Sequence, residues 1–398
     1  MISASTRTAN FHYAIRNLAS AAEAQERAGG SIIYLNIGDP QAYGFRPPVH
    51  IVEAVAQAIK NSFTGYAYSA GLRAARNAVA AYATALGAPV TPAQVLITSG
   101  ASEAADLVLT ALVNDGDEVL LPAPGYPIYP AILNKLSAIP RYYTLDSSNA
   151  WQPDIEKIDS LITKRTRALV LINPNNPTGS IMPDETTEQI LQVAARHKLP
   201  VIADEVYREL CFEKPPTSAS VLAQQLDLPV ITLESLSKTH LVPGWRVGWM
   251  RYTHEQLMPD LTEAIGRLAS GRLCSPTPAQ YAVEPALNGS RDFQRDFLRE
   301  LKSRRDFCVQ RVRDNESLSC DKPAAAFYLM IKARKLDKCN DEQFVLDLLK
   351  ETGVLVVHGS GFGVDPSEGY FRMVYLADES MLADAFNRID RFMNDRRK

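Results

Sequence analysis

The sequence predicts an α/β fold: a large domain with a mainly parallel, seven-stranded sheet sandwiched by helices, and a smaller α+β domain. Between about residues 95 and 252, short runs of β-branched residues alternate with polar, helix-like stretches, which is typical of a sheet covered by helices. The run Ala-Leu-Val-Leu-Ile at 168–172 is apolar throughout, as in a parallel strand buried on both faces. Ligands bind at the carboxyl ends of such strands, so we expect functional side chains to follow them.

The elements of the first part of the chain begin with an amphipathic helix at 9–27. An extended piece at 32–37 follows, and we expect this N-terminal segment to pack on the C-terminal region. The strands of the sheet are predicted, from their apolar runs, at residues 95–98, 118–121, 141–145, 168–172, 201–204, 230–234 and 247–251.

The pattern changes after about Pro278 to long, charged helices separated by short strands, which indicates an α+β unit. The helices are predicted at 291–314 and 341–352, and the strands at 325–331, 354–357 and 371–375. We therefore predict a large domain over residues 48–280 and a small domain made of residues 1–47 and 281–398.

The composition favours a soluble protein that acts on small molecules. With 46% hydrophobic and 22% charged residues, a net charge of −3 and dispersed Lys and Arg, the 398-residue chain predicts neither nucleic-acid nor membrane binding. No run reaches the roughly 18 apolar residues of a membrane span, and the first thirty residues lack a signal-peptide core. Five widely spaced cysteines without a CxxC pair indicate reduced thiols in a cytoplasmic protein rather than disulfides or a zinc site.

Lys238 is the residue that points most directly to chemistry. It lies in the stretch Ser-Leu-Ser-Lys-Thr-His-Leu-Val-Pro-Gly-Trp-Arg, among small, apolar and turn-forming residues. Burial and a nearby cation such as Arg246 both disfavour the ammonium form, so the amine would be neutral enough near pH 7 to attack a carbonyl. The alternative from local chemistry alone is a solvated lysine beside a turn.

The turn after the strand at 95–98 has the features of an anion site. Gly100, Ala101 and Ser102 lead into a helix predicted at 104–113. Backbone N–H groups at a helix N-terminus, together with the helix dipole, favour a phosphate there. The alternative is that Ser102 only caps the helix.

Three further strand ends carry polar or aromatic candidates. Tyr126 lies in a stiff loop where its ring would stack on a planar ligand, and Asn176, on an Asn-Pro turn, would donate to a phenolate oxygen. Asp204 ends an apolar strand and needs a charged or hydrogen-bonding partner, such as the protonated ring nitrogen of a ligand. The Tyr207 hydroxyl would reach the same ligand. Each has a structural alternative: a packed loop tyrosine, a rigid turn, a capping aspartate or a core tyrosine.

Taken in order and spacing, these residues resemble those of the class I/II aminotransferases of fold type I, which depend on pyridoxal phosphate, and the resemblance runs along essentially the whole chain. The residues that carry it are Gly100, Ala101, Ser102, Tyr126, Asn176, Asp204, Tyr207, Ser235, Lys238 and Arg246.

The resemblance implies a role for each position. Lys238 would form the Schiff base with the cofactor and move the proton, while Asp204 would keep the pyridine nitrogen protonated. Asn176 and Tyr207 would bind the phenolic oxygen. The phosphate would be held by Gly100, Ala101, Ser102, Ser235 and Arg246.

The resemblance also implies a homodimer with shared active sites and a site for the substrate carboxylate. Tyr66 resembles the tyrosine that reaches the phosphate of the partner subunit. Arg372 resembles the arginine that grips the α-carboxylate in two-point fashion, and Gly38 would let the backbone approach the same group.

Two segments, residues 35–45 and 272–280, resemble the bacterial alanine aminotransferases, although Asp39 and the pair Ser275-Pro276 depart from that subgroup. The expected reaction is amino transfer between alanine, or a similar small amino acid, and 2-oxoglutarate. The alternatives are an aspartate or aromatic aminotransferase, a lyase or specialised biosynthetic enzyme on the same fold, and a non-catalytic regulator that only holds the cofactor.

Overall fold

A computed structural model describes residues 2–5, 8, 18–334 and 340–396 of the chain. Part of the predicted helix at 9–27 lies outside the described residues, and the helix is seen from Ala19. The described helices, numbered in chain order, are α1 Ala19–Arg27, α2 Val49–Lys60, α3 Arg73–Leu86, α4 Ala101–Leu112, α5 Ile128–Lys135, α6 Ile155–Leu161, α7 Asp184–Arg196, α8 Ala219–Leu222, α9 Leu236–Thr239, α10 Pro259–Gly271, α11 Thr277–Gln280, α12 Val283–Asn288, α13 Asp292–Arg313, α14 Asp341–Thr352 and α15 Glu379–Asp395.

The strands of the described chain fall into three sheets. They are β1 Ile33–Tyr34, β2 Val95–Thr98, β3 Glu118–Ala123, β4 Ile139–Asp146, β5 Gln152–Pro153, β6 Thr166–Ile172, β7 Val201–Asp204, β8 Val230–Ser235, β9 Gly248–Thr253, β10 Leu318–Ser319, β11 Tyr328–Ala333, β12 Val354–Leu355, β13 Val357–His358 and β14 Tyr370–Val374.

The largest sheet in the described part of the chain has the order β2-β9-β8-β7-β6-β3-β4-β5. It contains the seven predicted strands and adds the two-residue strand β5 at one edge. Strands β8, β7, β6, β3 and β4 are parallel, and β9 runs antiparallel between β8 and β2. Strands β2, β3, β6, β7 and β8 therefore all end at the same edge of the sheet.

The central strands are buried on both faces, as their continuous apolar sequences predict. All five residues at 168–172 in β6 are at most 5% exposed. One face packs on a core that includes α4, α5 and α10, and the other on a core that includes α6 and α7. This sandwich fixes the strand ends to which the functional side chains are attached.

Of the two remaining sheets in the described chain, a two-stranded one joins the two ends of the chain, and a four-stranded one has the order β10-β11-β14-β13. The short strand β1 pairs in parallel with β12, as expected for the predicted extended piece at 32–37. The predicted strand 354–357 is two strands, because β12 pairs with β1 whereas β13 pairs with β14. A separate hydrophobic core joins α1 and β1 to the helices and strands after residue 290.

Helix boundaries follow local capping. Helix α14 begins after Asn340, whose side chain accepts a hydrogen bond from the backbone N–H of Gln343, and ends at Gly353, with φ of +73°. Helix α4 begins three residues before its predicted start, because Gly100, with φ of +82°, lets the chain turn directly into Ala101. None of the described helices combines the length and apolar character that a membrane crossing requires.

Candidate active site

A cavity of about 570 Å³ opens at the carboxyl edge of the large sheet, where the N-terminal and C-terminal segments lie over it. Eleven of the thirteen predicted site residues line this cavity: Gly38, Ala101, Ser102, Tyr126, Asn176, Asp204, Tyr207, Ser235, Lys238, Arg246 and Arg372.

The two other predicted residues, Gly100 and Tyr66, do not line the cavity. Gly100 lies directly behind its wall, where a Cβ atom would fall 2.4 Å from Nη2 of Arg246. Only glycine fits that close approach. Tyr66 is 84% exposed, on the surface of the molecule.

One end of the cavity is built to hold an anion. Helix α4 points its N-terminus at the cavity through Ala101 and Ser102. The Arg246 guanidinium is fixed there, with Nη2 donating to the Ser99 carbonyl at 3.0 Å and Nη1 to the Pro243 carbonyl at 2.9 Å. Unpaired backbone N–H groups, the helix dipole and a guanidinium together favour a phosphate at this end.

The short helix α9 presents Lys238 to the cavity. Ser235 caps it: its hydroxyl accepts a hydrogen bond from the Ser237 N–H at 2.9 Å. The Ser237 hydroxyl lies 2.7 Å from that of Ser235 and also lines the cavity. Ser237 was missed by the sequence reasoning, although its position between two predicted site residues was a usable signal.

The Lys238 amine is held ready for nucleophilic chemistry. Its Nζ donates to the Gly38 carbonyl at 2.6 Å and lies 5.7 Å from the centre of the Phe327 ring. The pKa of Lys238 is lowered to about 8: burial is the main cause, the charge of Asp39 opposes it, and the charges of Arg372 and Arg246 add to the lowering. About a tenth of the amine is therefore neutral at pH 7, far more than for an ordinary lysine, as the sequence reasoning expected.

Asp204 ends strand β7 at the floor of the cavity. Its Oδ2 accepts a hydrogen bond from the Tyr129 hydroxyl at 2.9 Å, and its Oδ1 accepts one from the Val206 N–H at 3.3 Å. Burial raises the pKa of Asp204 to about 6, and these two hydrogen bonds restrain the rise. The carboxylate is therefore ionised near pH 7 yet only partly compensated, so a cation in front of it would be bound favourably.

Two tyrosines of the site were missed by the sequence reasoning. Tyr129 lies in the first turn of α5, and its contact with Asp204 joins residues 75 positions apart, so the local sequence pattern gave no signal for it. Tyr328 lies in β11, and its hydroxyl is 2.5 Å from that of Tyr207. An alternating strand pattern predicts only burial, so nothing in the sequence singles out Tyr328.

The other end of the cavity carries Arg372, which is 1% exposed. Its Nη1 donates to Oδ1 of Asn176 at 2.9 Å and its Nη2 to the Asn36 carbonyl at 2.6 Å. The guanidinium lies between the Tyr328 and Phe362 rings, 4.4 and 4.7 Å from their centres. Because Oδ1 of Asn176 accepts from Arg372, its Nδ2 is the donor that would meet a phenolate oxygen.

The Gly38 carbonyl accepts the hydrogen bond from Lys238, and the lack of a side chain at Gly38 is required. A Cβ atom there would fall 2.4 Å from the Phe327 ring and 2.7 Å from the Tyr328 hydroxyl. The backbone of this segment therefore approaches the cavity as the sequence predicted.

Comparisons with known proteins agree with this geometry. Residues 31–389 match the family model described as aminotransferase class I and II. The chain is 36% identical over 377 residues to an alanine aminotransferase of Mycobacterium tuberculosis, covering 92% of this chain and 87% of the relative. It is 34% identical over 401 residues to the glutamate-pyruvate aminotransferase AlaA of Escherichia coli, covering 99% and 98%.

Among solved structures, an alanine aminotransferase from Pyrococcus furiosus superimposes with a TM-score of 0.95 at 39% identity, covering 99% of this chain and all of the other. The family match spans most of the chain, the two relatives cover 92% and 99% of it, and the solved structure shares its fold. The chain is therefore a member of the class I and II aminotransferases, enzymes that transfer an amino group between an amino acid and a 2-oxo acid.

Proposed function

We propose that this aminotransferase uses pyridoxal phosphate to transfer the amino group between alanine, or a similarly small amino acid, and 2-oxoglutarate. The observation that carries the proposal is the convergence of Lys238, Asp204, Arg372 and the α4 anion site on one cavity. The choice of alanine and glutamate is supported by the relatives, which are named alanine and glutamate-pyruvate aminotransferases.

The residues of the cavity fit pyridoxal phosphate at each of its functional groups. The α4 N-terminus with Ser102 and Arg246 suits the phosphate, and Asp204 suits a protonated ring nitrogen. Lys238, with its pKa lowered to about 8, suits the carbonyl carbon. When bound, the cofactor would supply a carbonyl that condenses with amines and a ring that accepts electrons from the substrate Cα.

Lys238 and Arg372 would both act on the substrate. The Arg372 guanidinium would bind the α-carboxylate through two parallel hydrogen bonds and so orient the Cα–H bond. The Lys238 Nζ would take the proton from the substrate Cα and return it to the carbon that came from the cofactor's carbonyl group. Its lowered pKa makes it a competent base near neutral pH. Asn176 and Tyr207 would hold the phenolic oxygen.

We also propose a homodimer in which Tyr66 of each subunit reaches the phosphate site of the other. Large apolar side chains are exposed on α2, on either side of Tyr66 along the chain, and next to Arg272, and a partner subunit would cover them. They are Val49, Ile59, Phe63, Tyr68 and Leu273, each 46–80% exposed.

We propose a cytoplasmic location and a division into domains at the predicted boundaries. Cys211, Cys274, Cys308 and Cys320 are all free thiols, as in proteins of reducing compartments. Separate hydrophobic cores support a large domain over 48–280 and a small domain of 1–47 with 281–398, with the cavity between them, although Ala282, Val283 and Ala286 pack in a core of the large domain.

The test is a half-reaction with the cofactor-loaded protein. Single amino acids are added, and the absorbance of the pyridoxal form is followed as it converts to the pyridoxamine form. We expect rapid conversion with alanine and glutamate. Arg372→Gln should lower the second-order rate constant of the half-reaction with alanine by about 10²-fold, since a charge-assisted, two-point contact is lost. The rate constant with ethylamine, which has no carboxylate, should change far less.

Other outcomes would redirect the proposal. Conversion by aspartate or aromatic amino acids but not by alanine would show that the substrate assignment is wrong. Release of ammonia without a 2-oxo acid acceptor would indicate a lyase. An Arg372→Gln variant that loses alanine and ethylamine turnover equally would remove Arg372 from the carboxylate site.

A further inference from the structure

The segment that carries Tyr66 is tied to a second segment, residues 272–280, by side chains of the latter. The Thr277 hydroxyl accepts a hydrogen bond from the Ala67 N–H at 3.2 Å, and Oε1 of Gln280 accepts one from the Leu72 N–H at 2.8 Å. Between them, Nη1 of Arg272 donates to the Ser69 carbonyl at 3.2 Å. The path of the chain from Ala67 to Leu72 is therefore set by residues 272–280.

Arg272 makes two further contacts, and both reach the anion site. Its Nη2 donates to the Ile97 carbonyl at 2.9 Å, near the end of β2. Its Nε lies 3.0 Å from Oε1 of Glu103, and the other oxygen of that carboxylate accepts a hydrogen bond from the Ser99 N–H at 2.7 Å. One guanidinium therefore joins the Tyr66 segment, the end of β2 and the first turn of α4.

The negative charge of Glu103 makes its ion pair with Arg272 important for the binding of an anion at the N-terminus of α4. Glu103 lies in the first turn of α4, one residue after Ser102, where its negative charge would oppose a phosphate at the helix N-terminus. Arg272 compensates that charge in a partly shielded position, since the side chains of Arg272 and Glu103 are 18% and 22% exposed. Without Arg272, the anion site would contain an uncompensated carboxylate.

We propose that Arg272, acting with Glu103, is a positioning residue that sets the geometry and charge of the phosphate site and the path of the Tyr66 segment. Neither residue lines the cavity, so both act through Ser99, Ser102 and Ser69. This inference rests on the proposed binding of pyridoxal phosphate and adds to it two residues outside the cavity.

The experiment compares the affinity of the cofactor-free, full-length protein for pyridoxal phosphate and for pyridoxal, which lacks the phosphate. In Arg272→Gln we expect the affinity for pyridoxal phosphate to fall about tenfold, as for an unfavourable charge at a helix N-terminus, and that for pyridoxal to fall much less. The double variant Arg272→Gln with Glu103→Gln should regain most of the loss. The matched control is Arg267→Gln, which removes an arginine from an exposed ion pair with Glu263. This variant should bind both ligands as the parent does.

Three results would overturn the inference. The first is an equal loss of affinity for both ligands in Arg272→Gln, and the second is a double variant that binds pyridoxal phosphate no better than the single one. If Arg272→Gln does not fold, Glu103→Gln tests the same charge argument. It leaves the Arg272 charge uncompensated, so it should strengthen the binding of pyridoxal phosphate. The third overturning result is a Glu103→Gln variant that binds pyridoxal phosphate, but not pyridoxal, more weakly than the parent. A parent protein that does not prefer pyridoxal phosphate to pyridoxal would instead refute the proposed cofactor.

Discussion

Two groups of buried charges lie side by side at the carboxyl ends of β7 and β8, and they are compensated differently. Asp204 faces the cavity, whereas the next residue, Glu205, faces a network behind it. In that network Glu205 lies 3.3 Å from Arg208, and Glu234 lies 3.0 Å from Arg251, which is completely buried.

The charges of the network are paired with one another inside the protein, although Oε2 of Glu205 and Nε of Arg208 form an ion pair without a hydrogen bond. Glu205 also accepts hydrogen bonds from the Ser218 hydroxyl at 2.9 Å and the Ala219 N–H at 2.8 Å. Arg251 donates to Glu234 and to the Ser220 hydroxyl, the latter at 2.6 Å. Burial raises the pKa of Glu205 as well, but the charges of Arg208 and Arg251 oppose that rise, so ionic contacts across the network hold β7, β8 and β9 together.

The cavity groups are compensated much less. Asp204 is held by a tyrosine hydroxyl and a backbone N–H, and the Lys238 Nζ by a backbone carbonyl. Burial consequently moves the pKa of Asp204 up to about 6 and that of Lys238 down to about 8. The contrast indicates that the network serves stability, whereas the cavity charges are left for a ligand to compensate.

The largest expected effect is on turnover. Lys238→Ala should lower the rate of amino transfer by roughly 10⁴-fold or more, because the variant loses both the nucleophile and the base. The cofactor-free variant should be no less stable to heat than the parent, since the lowered pKa of Lys238 shows that burying its ammonium group costs stability near pH 7. Steady-state kinetics and calorimetry check both; near-normal turnover in this variant would contradict the mechanism.

The next effect is on stability. Glu234→Gln should lower the free energy of unfolding by about 3 kcal/mol, because it leaves the buried Arg251 without its closest carboxylate. Denaturant titration of the cofactor-free protein measures this, with Glu263→Gln, whose side chain is 71% exposed, as the control. A change in Glu234→Gln no larger than in the control would show that the network does not act as described.

The last effect, similar in size but confined to part of the pH range, is a pH dependence of stability. A carboxyl whose pKa rises from 3.8 to about 6 on folding contributes stability below about pH 4, which is lost as the pH rises through 6. Asp204→Asn removes this titration, so the cofactor-free variant should gain about 3 kcal/mol relative to the parent between pH 4 and 7.5.

Denaturant titrations at several pH values give this difference. Comparing variant with parent cancels the titration of the other carboxyls. A difference independent of pH would mean that Asp204 is not destabilised by burial. The same substitution should weaken pyridoxal phosphate binding, because the bound ring nitrogen would lose its anionic partner.

The sequence was most informative where function depends on local order along the chain. Each of β2, β3, β6, β7 and β8 ends next to a predicted site residue, and a parallel arrangement brings those ends to one edge. The strands, the α4 turn and Lys238 could therefore be placed from apolar runs and the residues that follow them.

The tertiary structure alone decided what depends on distant contacts. Arg372 is held by the Asn36 carbonyl, 336 positions away, and Asp204 by Tyr129, 75 positions away. Local patterns carry no signal for such pairs, so Tyr129, Tyr328 and the Arg272–Glu103 pair escaped the sequence reasoning. The direction of the pKa shift of Lys238 could be predicted from the sequence. The size of that shift, and the raised pKa of Asp204, depend on how completely folding excludes water from each group.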